Sequence, residues 1–128
     1  MKYQIKLPLL GFEEMTEVEL IEMDEMFSKI RSIQNPAIEI TLVNPYVLRE
    51  YSFDVPKYIS LLLEIQGQPS VKVYCVVVVQ NPIEESRVNF LAPIIFNQEN
   101  ATAAQIALSV KDYPDFKVAD EIKHYMKD

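Results

Sequence analysis

At 128 residues, with 49% hydrophobic content and a mean hydropathy of +0.02, the chain has apolar matter for one core and no room for a second, so a single domain over residues 1–128 is expected. Nineteen acids against twelve bases leave a net charge of −7, which weighs against nucleic acid and anionic membranes because no basic stripe offsets it. The lone Cys75 cannot form an internal disulfide and fits a reducing compartment.

From the N-terminus, "KYQIKL" alternates so that Tyr3, Ile5 and Leu7 share one strand face, and Pro8 and Gly11 punctuate a turn. "EVELIE" alternates again, with Val18, Leu20 and Glu22 on one side. Asp24 then reads as the N-cap of a short helix, "DEMFSKIRSI", where Met26, Phe27, Ile30 and Ile33 fall at helical spacing. Pro36 closes it, and "IEITLV" returns to a period of two. "NPYVLREYSFDVP" is a connection whose Tyr46, Tyr51 and Phe53 pack over the core. A second helix, "PKYISLLLEI", opens at Pro56.

"VKVYCVVVVQ" is the strongest strand, alternating and then continuously apolar as a central strand does. "NPIEES" turns the chain into a further strand over 87–97. "ATAAQIALSV" suits either a strand or a helix, and a terminal helix is expected from about Val118. The fold class is therefore mainly β with peripheral helices (α+β), a small antiparallel β-barrel-like sheet. The N-terminus lacks the h-region of a secretory signal, and the longest apolar run, "VYCVVVV", is too short to span a bilayer. A cytoplasmic location is expected.

Chemistry is sparse. One histidine and one cysteine, His124 and Cys75, cannot build a structural zinc centre, and no calcium-loop pattern occurs. Cys75 inside "VYCVVVV" reads as an inert core thiol, and His124 as a surface residue with nothing near it in sequence to orient it. With glycines only at 11 and 67, a glycine-built phosphate cradle is absent. No enzyme activity, metal or cofactor is expected.

Two features point outward instead. Glu13, Glu14, Glu17, Glu19, Glu22, Asp24 and Glu25 fall within thirteen positions that hold no base. They form either a solvated face or a surface that steers a basic partner. The stretch "RVNFLAPIIFN" would place Val88, Phe90, Ala92, Ile94 and Phe96 on a core face. Its other face carries Asn89, Pro93 and Asn97. Proline belongs at a sheet edge or a bulge, so the strand is either locked structurally by its amides or offers a docking edge.

The segments "LLGFEE", "LVNPYVLREYSFDVP", "VNFLAPIIFN", "AQIAL" and "DYP", in this order from about residue 5 to 115, resemble the FliW flagellar assembly factors. "NFLAPIIFN" and "ESRVNF" are most similar to members from Helicobacter- and Campylobacter-like bacteria. The resemblance implies a non-enzymatic, monomeric cytoplasmic regulator with a small barrel-like fold. It implies binding to flagellin, in a chaperone-like way, and to CsrA, the RNA-binding repressor of flagellin translation. Export of flagellin would free the factor to capture CsrA and relieve repression, away from the RNA-binding surface. Asn89, Ala92, Pro93, Asn97 and Gln105 stand at family positions, whereas "QENATAA" replaces a stretch in which many relatives carry glycine or arginine. Asn89, Pro93, Asn97 and Gln105, with Glu13, Glu14 and Glu17, are the candidate partner-binding residues; whether the amides build the fold or touch a partner stays open. The alternative is a small-molecule-binding barrel with a mouth of Tyr46, Tyr51, Phe53 and Tyr58.

Overall fold

The first four strands, β1 (Lys2–Ile5), β2 (Glu17–Glu22), β3 (Phe27–Ser32) and β4 (Glu39–Val43), lie side by side in chain order. After helix α1 (Lys57–Leu62) come β5 (Val71–Val78), β6 (Arg87–Val88), β7 (Ile94–Asn97), β8 (Thr102–Gln105) and β9 (Asp120–Glu121). This computed structural model describes residues 1–67 and 70–126. The sheet order β4-β3-β2-β1-β8-β7-β5 is closed by a β4–β5 pairing, giving a seven-stranded barrel, while β6 and β9 extend β5 outside the ring. Closure removes most of the sheet edge that would otherwise template unwanted pairing, although the β4–β5 seam is only two register pairs long. The barrel is not wholly antiparallel: β1 and β8 run parallel, with Gln4 against Thr102.

The expected helix over 24–33 is a hairpin strand. Residues of β3 alternate half-buried and buried, and the inward positions are Ser28, Ile30 and Ser32. Two small polar residues on the inner face hid a period of two behind the helical spacing of Met26, Phe27, Ile30 and Ile33. Asp24 does cap, but it caps a turn: its Oδ1 accepts from the Met26 and Phe27 N–H groups at 2.9 and 2.7 Å.

The barrel interior is filled by side chains. Tyr3 and Tyr74 pack edge-on against Phe96, with ring centroids 5.0 and 5.8 Å apart. Leu20, Ile30 and Leu42 complete that layer, and Ala103 leaves room for the rings. Outside the barrel, Ile59 and Leu63, one helical turn apart, seat α1 on Ile95, Ala104 and Ile106. A second outer cluster centres on Tyr51, whose hydroxyl donates to the Phe90 carbonyl at 2.7 Å and whose ring stacks on Phe116 at 4.8 Å.

The run 87–97 is bulged rather than an edge. The Asn89 N–H bonds the Val76 carbonyl, and Ile94 opposes Tyr74, so the four residues 90–93 swing out opposite Cys75. This breaks the single core face expected from alternation. Val88 and Phe90 join the outer cluster, Ile94 and Phe96 enter the barrel, and Pro93, Ile95 and Asn97 of the other face are buried too. Among the described residues the terminal helix does not form, and its last two positions lie outside them: β9 pairs with β6, Val88 against Asp120, and one 3-10 turn, Ile122–Tyr125, follows. Asp120 is buried in this arrangement and Val118 is exposed.

Candidate interaction surface

The four family-position candidates are held by backbone partners. Asn97, 1% exposed, donates from Nδ2 to the Leu63 carbonyl at 2.8 Å, and Asn100 Nδ2 donates to the same oxygen at 2.8 Å. Together they satisfy a carbonyl left orphaned where α1 ends. Asn89 Oδ1 accepts from the Leu91 N–H at 3.0 Å and starts the outward swing of 90–93. Pro93 needs no N–H there, and its carbonyl accepts from the Ile106 N–H at 2.8 Å. Gln105 bridges two loops, accepting from the Leu10 N–H at 2.8 Å and donating to the Ala92 carbonyl at 3.1 Å.

Asn89 and Gln105 are only half-buried and reach the surface beside Leu10, which is 77% exposed on the Pro8–Gly11 turn. Glu13 flanks the neighbouring recess, and its Oε1 accepts from the Gly11 N–H at 3.2 Å. Glu14 and Glu17 are exposed, Glu17 on β2 opposite Gln4. Glu13, Asn89 and Gln105 thus meet around Leu10, whereas Asn97 and Pro93 lie beneath the surface.

The rest of the acidic run goes elsewhere. Glu22, Asp24 and Glu25 rim an open cleft of about 440 Å³ between the β2–β3 turn, β5 and the 3-10 turn Pro45–Val47. Asn44 builds that turn by accepting from the Tyr46 N–H at 3.0 Å, with Pro45 in its first position. The result exposes Tyr46 (52%) and Val47 on one wall, opposite Val71 and Val73 of β5. Lys72 crosses the barrel mouth to an ion pair with Glu22, and that hydrogen bond holds its ammonium above the usual lysine range. The aromatic mouth of the alternative reading is only partly drawn together: Tyr46 and Phe53 pack edge-on against Tyr51, whose ring is buried, while Tyr58 stands exposed on α1.

Two further relationships sit on the outer cluster, one created only by folding and one between near neighbours in the sequence. Arg49 lays its guanidinium over Phe90, Phe116 and Tyr125, 5.5, 4.9 and 5.8 Å from the ring centroids. Asp120, 3% exposed, accepts from the Tyr125 hydroxyl and lies 2.8 Å from His124 Nδ1. His124 is therefore oriented after all, by a carboxylate four residues before it, at the start of β9. Burial would raise the Asp120 carboxyl, but hydrogen bonds from Tyr125 and His124 outweigh it and hold the group below the usual range. Burial pushes the Cys75 thiol up to about 12, so it is a packed thiol rather than a nucleophile. Among the described residues no three His, Cys, Asp or Glu side chains gather to hold a metal ion. Among them, too, no helix is long and apolar enough to cross a membrane.

Comparison with known proteins agrees with this frame. The family described as FliW protein matches residues 2–120. Flagellar assembly factor FliW 1 of Wolinella succinogenes is 68% identical over 128 residues, covering all of both chains. Flagellar assembly factor FliW of Helicobacter pylori is 52% identical, covering 98% of this chain and 95% of its own. In fold, the chain is similar to a crystal structure of the flagellar assembly factor FliW, with a TM-score of 0.84 at 22% identity over 94% of this chain and 84% of that one. Matched along nearly its whole length by the family and by full-length relatives, this chain belongs to the FliW family.

Proposed function

We propose that the chain is a cytoplasmic flagellar assembly factor that acts by binding proteins: flagellin and the translational repressor CsrA. The observation that carries this reading is 68% identity over the full length to a protein named flagellar assembly factor. In this reading, flagellin occupies the factor while it accumulates. Its export frees the factor to take CsrA off flagellin translation, so synthesis follows assembly.

The surface chemistry supports a binding role. A net charge of −7 with an acidic run at 13–25 favours encounter with a basic partner such as an RNA-binding protein, and disfavours RNA itself. Side chains fill the barrel and Cys75 is buried, so a partner would meet this protein at its surface. Calorimetric titration of the purified protein with flagellin, and separately with CsrA, tests the reading. Micromolar or tighter binding to both supports it; folded proteins that give no heat with either partner overturn it.

A further inference from the structure

The first half of β5 keeps an unpaired edge inside the barrel seam. β4 and β5 share two register pairs, Leu42 with Val76 and Val43 with Cys75. The next residues of β4 would be Asn44 and Pro45, but Pro45 has no N–H to offer Val73 and the chain leaves into its 3-10 turn. On the opposite side β7 covers Val71–Tyr74 completely.

Ladder alternation fixes which groups face the seam. The Gln98 N–H bonds the Ser70 carbonyl at 2.9 Å, which makes Ser70, Lys72 and Tyr74 the positions that exchange backbone bonds with β7. Val71 and Val73 therefore turn their N–H and C=O groups the other way, into the 440 Å³ cleft. No strand among the described residues lies on that side. All four residues but Tyr74 are half-exposed.

The cleft also has two chemically different sides. Val71 and Val73 point their side chains out of the barrel, toward the outer clusters, and with Tyr46 and Val47 across the cleft they form its apolar side. Lys72 and Tyr74 point inward, toward the mouth where Glu22, Asp24 and Glu25 stand. Three carboxylates there face one ammonium, and that ammonium is already paired with Glu22.

We propose that this edge of β5 takes an extended protein segment as an added strand, one in which lysine or arginine alternates with apolar residues. The backbone of the segment would bond Val71 and Val73. Its apolar side chains would lie against Tyr46 and Val47, and its basic ones against Glu22, Asp24 and Glu25. A nucleic-acid strand has the wrong charge for this rim. The inference rests on the reading of the chain as a partner-binding protein but not on which partner it takes.

The probe is a blocked hexapeptide of alternating lysine and valine, with a glutamate–valine counterpart, added at millimolar concentration to the isotope-labelled protein. Amide hydrogen exchange at Val71 and Val73 is expected to slow by about tenfold or more with the lysine peptide and to stay unchanged with the glutamate peptide. Glu25→Lys, at an exposed position, should weaken the effect. So should Val73→Pro, which removes a donor aimed at the cleft and none aimed at β7. Association that leaves both amides unprotected, or no association, overturns the proposal in the unmodified protein, whether or not either variant folds. Flagellin and CsrA titrations decide the functional reading separately: binding to either with Val71 and Val73 unprotected would sink the docking edge alone.

Discussion

The side-chain amide of Asn97 on β7 donates to the carbonyl of Leu63 at the end of α1, 2.8 Å away and 34 residues earlier in the chain. That bond, doubled by Asn100, locks the helix over the outer face of β7 and β8.

Asn97→Ala is accordingly expected to lower stability by about 1–3 kcal/mol, toward the small end because Asn100 still reaches the same carbonyl. Asn97→Asp should cost at least as much, since a carboxylate cannot donate to that oxygen. Thermal melts followed by circular dichroism check both. An unchanged melting temperature combined with weakened partner binding would make Asn97 a contact residue instead.

Arg49 tests the outer cluster. Its guanidinium covers three rings and donates to the Asp115 carbonyl at 3.3 Å. Arg49→Lys keeps the charge but loses the flat stack, and should destabilise by about 1–2 kcal/mol in urea titrations. Equal midpoints for the two proteins would show that the stack contributes nothing.

Asp120 predicts an acid limb. Its carboxyl titrates lower in the folded state than in the unfolded chain, where the ordinary value is about 3.9. A depressed acid contributes stability that is present above the unfolded value and lost as pH falls through the folded one. Asp120→Asn should therefore flatten the fall in urea midpoint below about pH 4. An identical acid limb in the variant would contradict the assignment.

The exposed acids Glu13, Glu14 and Glu17 predict a rate effect. Under the proposed reading, reversing all three should slow capture of CsrA at low salt, with the difference shrinking as ionic strength rises. Stopped-flow association rates that match the unmodified protein at every salt concentration would make this end of the run a solvated face.

How far the sequence carries depends on what each position faces. β1, β2 and β4 are legible because apolar side chains enter the barrel at every second residue, whereas β5 is legible because its valines alternate outward, Val71 and Val73 joining the outer clusters. β3 is not, since Ser28 and Ser32 occupy inward positions usually reserved for apolar groups. Pro93 correctly signals a bulge. Alternation could not show that the bulge sends Phe90 and Phe96 into different cores. The amides are conspicuous in sequence, yet the partner of Asn97 lies 34 residues away, so nothing local tells an inward amide from an outward one. The acidic run is visible as a unit, but strand β2 carries its two ends apart, one to the Leu10 turn and the other to the β5 cleft. The β5 edge itself arises from where β4 stops, which only the register of the closed barrel reveals.

The most direct test of the account is a competition. A preformed complex of the protein with labelled CsrA is titrated with flagellin, and CsrA release is followed by fluorescence anisotropy. The switch reading predicts that flagellin displaces CsrA in proportion to its own binding. A stable ternary complex, or CsrA that stays bound while flagellin also binds, would contradict it.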